Sequence, residues 1–522
     1  MRLRKIGGYL LLAILLIPGI VSAGEKVEVK NETELKECFN VNDNICVLTE
    51  NITLTTESQY EDSKGIKRTL IEVPSGNKIT LDLNGKTITE NNLALENGLV
   101  SVGNGSELTV NDSSNGKGAI TATKSYAALQ VHANSKLTVN GGNFTGYWYA
   151  LSGHGEEHDT TITINDGTFS VIATDEAPAV CHPQRGIFTI NGGTFTGTLG
   201  IEIRAGELIM NGGTIVATKA PAYSHPNGSG TTTEGAGIAI AQHITKLDTS
   251  VVINGGTIKG YGAIYQSNPQ ENAEESEKVS IEVNGGTFEA TNGGKQVVYS
   301  ENLKKFIVGG TFSIEPDLAY VNDNYNLIEQ SGKFVVEPNK TMSATDESGN
   351  TIVGFESEEA FSTRYILNVE EKELTKESDV IYLVEDHIFN SSQNVKVSDT
   401  KVLATYDITV TDGESVTPMK DGKFTISVKI DEESANKYNS FKAAYINEEG
   451  KVEEVIDANE KDGYITFVTT HLSTYSVLGY NATTTEVQNP QTYDGILTYA
   501  FLSFISIVGL SVAVIYLRKK TN

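Results

Sequence analysis

The chain has 522 residues, room for two or three domains, and carries 67 acidic against 40 basic residues for a formal charge of −27. So acidic a surface excludes nucleic acid and other polyanions as direct partners and suits solubility outside the cell. Its 50 Gly, 22 Tyr and 17 Phe describe a β-rich protein, and its 3 Cys show no metal-ligand spacing.

At the start, Arg2, Arg4 and Lys5 precede an apolar run from Tyr9 to Ile20, and Val21-Ser22-Ala23 offers small residues for cleavage. This predicts a secretory signal over 1–23, with the mature chain beginning near Gly24. Residues 24–50 then predict a cap. Within it, Glu32 to Phe39 can form a short helix opened by Asn31, with Leu35, Cys38 and Phe39 on one face. Cys38 and Cys46 are close enough in sequence for a local disulfide that leaves Cys181 over, and three buried thiols are the other reading.

From 51 to 339 one unit recurs, seen in its fullest form as Phe188-Thr189-Ile190-Asn191-Gly192-Gly193-Thr194-Phe195. Its Asn falls at Asn84, Asn111, Asn140, Asn165, Asn191, Asn211, Asn254 and Asn284, at intervals of 27, 29, 25, 26, 20, 43 and 30, and Val308 holds that place in a last copy. Apolar residues one and three before each Asn, such as Ile162 and Ile164 or Ile281 and Val283, alternate with polar ones. That period of two predicts a strand with one buried face. Gly-Gly supplies a corner, the Asn tolerates a left-handed conformation, and Phe144, Phe169, Phe195, Ile215, Ile258 and Phe288 turn back into an internal column. A second strand precedes each repeat, for example Ala128 to Val131, Ile201 to Arg204 and Ala263 to Tyr265. The polar loop from Lys219 to Gly235 accounts for the widest interval and is expected to protrude.

Coils of this kind cannot bury their apolar faces alone and must stack. The predicted fold is therefore all-β, a right-handed parallel β-helix with an N-terminal capping helix. It resembles the pectin-lyase-like superfold over roughly residues 30 to 335. That superfold hosts lyases, hydrolases, adhesins and phage tailspikes, so the resemblance implies a fold and leaves the activity open.

Six of the 8 His, and the single Trp, lie in the central coils. If Ile201 and Ile203 point inward, Glu202 and Arg204 point outward on the same sheet as Tyr149, His154, His182 and Tyr265. A carboxylate, a guanidinium, imidazoles and aromatic planes on adjacent coils would make a glycan groove. Gly153-His154-Gly155 matches one short motif of the polygalacturonase family, but that family's Asn-Thr-Asp, Asp-Asp and Arg-Ile-Lys elements are absent, so no catalytic residue is assigned. Glu156-Glu157-His158-Asp159 reads as an acidic surface loop or a seat for Ca²⁺, and no other cofactor is implied.

After Asn339 the rhythm stops. Residues 340–480 alternate as short strands and resemble a sandwich module of Gram-positive surface proteins in Leu403 to Ile408, Gly422 to Val428 and Gly463 to Val477. His471 in that stretch is expected to be bonded within a strand corner. Residues 481–492 are a polar linker ending in Asn489-Pro490-Gln491-Thr492, and 493–522 hold an apolar span from Ile496 to Leu517 followed by Arg518-Lys519-Lys520. Motif, membrane span and positive tail in that order resemble a sortase sorting signal of the Asn-Pro-x-Thr type. The resemblance implies cleavage after Thr492 and covalent attachment to peptidoglycan. The sequence thus leads to a wall-anchored glycan-binding or adhesive protein facing host surfaces, with a wall-anchored polysaccharide lyase or glycoside hydrolase as the alternative.

Overall fold

The computed structural model describes residues 24–153, 159–227, 230–241, 246–267, 278–392, 394–412, 419 and 422–484. The expected signal segment, His154, Glu156 to His158, the sorting motif Asn489 to Thr492 and the span 496–517 all lie outside the described residues. Among those described, no helix is long and apolar enough to cross a membrane. Contacts divide the chain into two units, Met1–Asn339 with Ala360–Thr363, and Lys340–Glu359 with Arg364–Asn522.

The first unit is a parallel β-helix of three sheets. Sheet I has 10 strands, from Lys26–Val29 to Val279–Val283; sheet II has 12, beginning at Ile52–Leu54; sheet III has 9, from Glu72–Val73 to Val298–Ser300. A central coil runs from Tyr149–Ser152 in sheet III through Thr160–Ile164 in sheet I and Thr168–Val171 in sheet II, then back to sheet III at Pro178–His182. Within the coils each strand pairs in parallel with its counterpart one coil away, as in Ile162↔Phe188↔Leu208, and only the last two strands of sheet II are antiparallel. The inward residues of all three sheets form one continuous apolar core.

The Asn-Gly-Gly corner between sheets I and II works differently from expectation. None of the repeat's own Asn residues, Asn111, Asn140, Asn165, Asn191, Asn211, Asn254 and Asn284, has a positive φ; the second glycine takes it, as at Gly193 (φ 91). A Cβ on Gly192 would meet Asn165 O at 2.5 Å, so the first glycine is needed for close approach. The Asn contributes its side chain instead: Asn191 Nδ2 donates to Asn165 Oδ1 at 2.8 Å, Asn211 to Asn191 at 2.9 Å, and the amide ladder runs from Asn111 to Asn284. Asn84 does not belong to it. Asn111 pairs in register with Asp82, and Asn84 lies in a left-handed turn (φ 45) two residues later. Behind the corner the column continues as Ile120, Phe144, Phe169, Phe195, Ile215, Ile258, Phe288 and Phe312 in register.

Both ends are closed. Helix α1 (Glu32–Phe39) buries Leu35, Cys38 and Phe39 at the first coil, and Cys38 is joined to Cys46 in a disulfide. At the other end Lys333–Pro338 pairs antiparallel with Gly310–Phe312, and Tyr325–Gln330 pairs with it in turn, which covers the last edge. The long polar loop is an antiparallel hairpin, Tyr223–Asn227 with Gly230–Glu234. Its base does not stand free: Glu234 Oε1 accepts from Glu176 N at 2.6 Å, and the Ser224 and Ser267 hydroxyls lie 2.7 Å apart.

The second unit departs from the two-layer sandwich. Its strands join in a single antiparallel sheet of 9, whose edge strands Thr341–Thr345 and Ile366–Glu371 lie against each other, so the sheet rolls into an open barrel. Phe424, Ile426, Ile465, Phe467, Tyr475 and Val477 are buried. On the other face Ala444, Ile446, Leu478 and Tyr480 receive Val380, Val384 and Ile388 of helix α2 (Glu377–Ser391), an element the sequence reading did not contain. Alternation marks a strand's buried face but not whether the partner face belongs to the same sheet. His471 lies between strands Tyr464–Thr469 and Thr474–Thr484, with its Nδ1 2.9 Å from the Tyr475 hydroxyl.

Candidate functional site

Sheet III is where the β-helix departs from simple alternation. Strands such as Thr160–Ile164 in sheet I alternate buried with more accessible residues, whereas Pro178–His182, Leu199–Ile203 and Ala236–Ile240 are buried at every position. The hairpin strand Gly230–Glu234 lies close to Leu199–Ile203 and Ala236–Ile240. The outward residues form one column across the coils: Ser101, Gln130, Ser152, Cys181, Glu202, Ala239, Tyr265 and Tyr299.

Midway along this column lies a polar cluster. Ile201 and Ile203 point into the core, which turns Glu202 and Arg204 outward. Arg204 donates to Glu202 Oε2 at 2.8 Å, and Cys181 Sγ lies 3.9 Å from the same oxygen. The pair is not the solvated groove lining that alternation suggested, since Glu202 is 1% and Arg204 4% exposed. Burial opposes the Arg204 charge, but Glu202, with Cys181 and Tyr149, holds its proton affinity above the ordinary guanidinium value. Burial pushes the Cys181 thiol up to about 12, against the pull of Arg204. The Tyr149 phenol is raised well above its usual value, first by burial and then by Cys181 and Glu202. At neutral pH the cluster therefore holds one ion pair, a neutral thiol and a neutral phenol.

Tyr149 also belongs to a group of rings at the margin of sheet III. Its ring lies 5.7 Å from Tyr126, which lies 6.5 Å from Trp148, which meets Tyr147 edge-on at 5.4 Å. Tyr147, Trp148 and Tyr149 are half-buried and Tyr126 is 45% exposed. Farther along the outward column Tyr265 packs on Tyr299 with ring centroids 4.7 Å apart.

Of the residues expected in the groove, Tyr149, Glu202, Arg204 and Tyr265 share this face, and His154 is outside the described residues. His182 is on the opposite face. It follows two consecutive core residues, Ala179 and Val180, and turns inward beside Phe188 at 5.7 Å. Among the described residues neither ring nitrogen has a hydrogen-bond partner, and burial lowers its pKa to about 4. Sequence reasoning missed Tyr126 as part of the aromatic group. The signal was available, because Tyr126 is one residue before the strand Ala127–Val131, in the place that Trp148 takes before Tyr149–Ser152.

No protein family matches the chain, and no curated protein matches it. Among solved structures it is similar to the enzymatically active domain of bacteriophage CBA120 tailspike protein 4, at 9% identity and a TM-score of 0.25, over 84% of this chain and 62% of that one. The chain thus spans less than two thirds of that neighbour. So distant a likeness decides nothing about function; strand order and register alone make this an all-β protein built on a parallel β-helix.

Proposed function

We propose that the chain is an exported, wall-anchored glycan-binding protein whose β-helix presents the margin of sheet III to a sugar chain. The observation that carries this reading is the cluster of Tyr126, Tyr147, Trp148 and Tyr149, four rings in contact and partly open to solvent on one edge of a rigid sheet. Aromatic faces of that kind stack on the apolar faces of sugars while hydroxyls bond to polar neighbours. Beneath them the Glu202–Arg204 pair acts through Tyr149, fixing the platform rather than touching ligand. A cleaving enzyme would need an accessible acid and base, and the buried, ion-paired Glu202 favours binding over cleavage on this face.

Anchoring rests on Asn489-Pro490-Gln491-Thr492, the apolar span 496–517 and the terminal Arg518-Lys519-Lys520. On this reading sortase and peptidoglycan are the wall-side partners and a glycan the outward one. The test is a glycan array probed with the whole protein and with Trp148→Ala and Tyr126→Ala. Binding that falls tenfold or more in folded variants supports the platform; unchanged binding in both overturns it.

A further inference from the structure

A cleft of about 710 Å³ opens on the far side of sheet III from the rings, where the chain enters sheet I, and its lining includes Arg185, Ile187, Glu207, Asp248 and Lys278. That volume lies within the range of small-ligand sites. Ile187 pairs with Glu207, and Glu207 with Ser250, so three successive coils form the floor. Arg185 and Asp248 each stand two residues upstream of that row, immediately before the strands Gly186–Ile190 and Thr249–Ile253 that flank the strand of Glu207. Gly206 N donates to Asp248 O at 2.8 Å, which ties the two carboxylate-bearing segments together. With strands about 4.8 Å apart, Arg185 and Asp248 leave the backbone roughly 10 Å from each other.

Among the described residues the Arg185 guanidinium and the Glu207 and Asp248 carboxylates have no hydrogen-bond or ion-pair partner. Free groups of both signs thus share one cleft, whereas Lys78, Lys219, Lys259 and Lys305 elsewhere on the β-helix are each paired with a nearby carboxylate. Among the described residues no three His, Cys, Asp or Glu converge as a metal-binding group, so the negative charge is spread along the floor rather than gathered at a point.

We propose that this cleft seats a zwitterionic saccharide, with a sugar carboxylate on Arg185 and a neighbouring sugar ammonium on Glu207 and Asp248. The inference rests on the reading of the β-helix as a glycan binder and adds a second, charge-selective seat to the aromatic one. A planar guanidinium takes a carboxylate in two parallel bonds, and charge-assisted bonds are the stronger ones. The cation on one coil and the carboxylates on the next two then select a ligand that carries a carboxylate and an ammonium on neighbouring sugars.

The test uses four tetrasaccharides titrated into the full protein: N-deacetylated hyaluronan, carrying alternating carboxylates and ammoniums, oligogalacturonate, chitosan and neutral chitin. The zwitterionic probe is expected to bind at least about tenfold tighter than the others, one charge-assisted bond being worth that factor or more. Arg185→Gln should weaken the zwitterionic and galacturonate probes and spare chitosan, whereas Glu207→Gln and Asp248→Asn should weaken the zwitterionic and chitosan probes. Equal affinity for neutral chitin, no binding of any probe, or variants that bind as wild type would overturn the assignment. Loss of array binding in Trp148→Ala with none in Arg185→Gln would leave the aromatic platform standing and remove only this seat.

Discussion

Glu202 and Arg204, two residues apart on one strand, form an ion pair of 2.8 Å on the outer face of sheet III with almost no exposure to water. Breaking a buried pair by removing one partner leaves an uncompensated charge and costs about 3–5 kcal/mol, whereas replacing both by apolar groups is often neutral. Glu202→Ala is therefore expected to lower the denaturant midpoint strongly, and Glu202→Leu with Arg204→Met to restore most of it. Native Cys181, buried and with its thiol pushed up to about 12, should resist maleimide at neutral pH in the wild type. A single mutant as stable as wild type would mean that water reaches the pair.

His182 predicts an acid sensitivity of known sign. Its folded pKa of about 4 lies below the unfolded value near 6.5, so the unfolded chain binds the extra proton first. The neutral imidazole's contribution is fully present above about pH 6.5 and is lost as pH falls through that window toward 4, by up to about 3 kcal/mol. His182→Leu, in register with Ile203, should flatten the stability profile between those values. Equal pH dependence in the two proteins would place the proton uptake elsewhere.

The β-helix was legible because each coil repeats the same physical solution, and a period of two flanking Asn-Gly-Gly can be read many times over. What could not be read were consequences of distant contacts. Glu202 is correctly outward by alternation, yet it is 1% exposed, and alternation does not say whether an outward face is covered. His182 was misplaced because Ala179 and Val180 both face inward and shift the phase by one residue. Asn84 mimicked the repeat locally, while pairing set Asp82 beside Asn111. Helix α2 was visible as Val380, Val384 and Ile388 at a spacing of four, a period the surrounding strands obscured.

The internal column gives a prediction of magnitude. The Phe195 ring stacks on Phe169 with centroids 4.8 Å apart and has no exposure. Phe195→Ala should cost about 3–5 kcal/mol in chemical unfolding. Gly193→Ala, with φ at 91 and Gly167 O 2.8 Å from the added carbon, should also destabilise although no side chain is lost. A Phe195→Ala protein melting within a degree of wild type would put the ring outside the core.

The anchoring reading makes its own demand. A transpeptidase that cleaves after Thr492 needs that residue's carbonyl in its motif, so Thr492→Ala should move the protein from the covalent wall fraction to membrane or medium. Fractionation with and without peptidoglycan hydrolase distinguishes the outcomes, and unchanged covalent recovery would rule the sorting signal out.

The capped first coil should be a separable element of stability. Asn31 Oδ1 accepts from Glu34 N at 3.0 Å, and Glu34 returns the contact by accepting from Lys30 N at 2.8 Å, which fixes the start of α1. Glu32 then ties the helix to the chain beyond by accepting from Thr55 N, Thr55 Oγ1 and Ser58 Oγ at 2.8, 2.7 and 2.7 Å. Burial opposes the Glu32 charge, but these bonds prevail and lower its pKa, so the cap's contribution is present above the ordinary carboxylate value and is lost in acid. The Cys38–Cys46 bridge closes a loop with a sequence separation of 8, for which chain entropy gives about 2–3 kcal/mol. Because a solenoid's coils touch only their neighbours, this loss should appear locally before it appears globally. Cys38→Ser with Cys46→Ser is therefore expected to speed hydrogen exchange over residues 26–48 while the central coils around Asn191 keep their protection. Exchange that rises equally in every coil would show instead that the cap and the solenoid unfold as one.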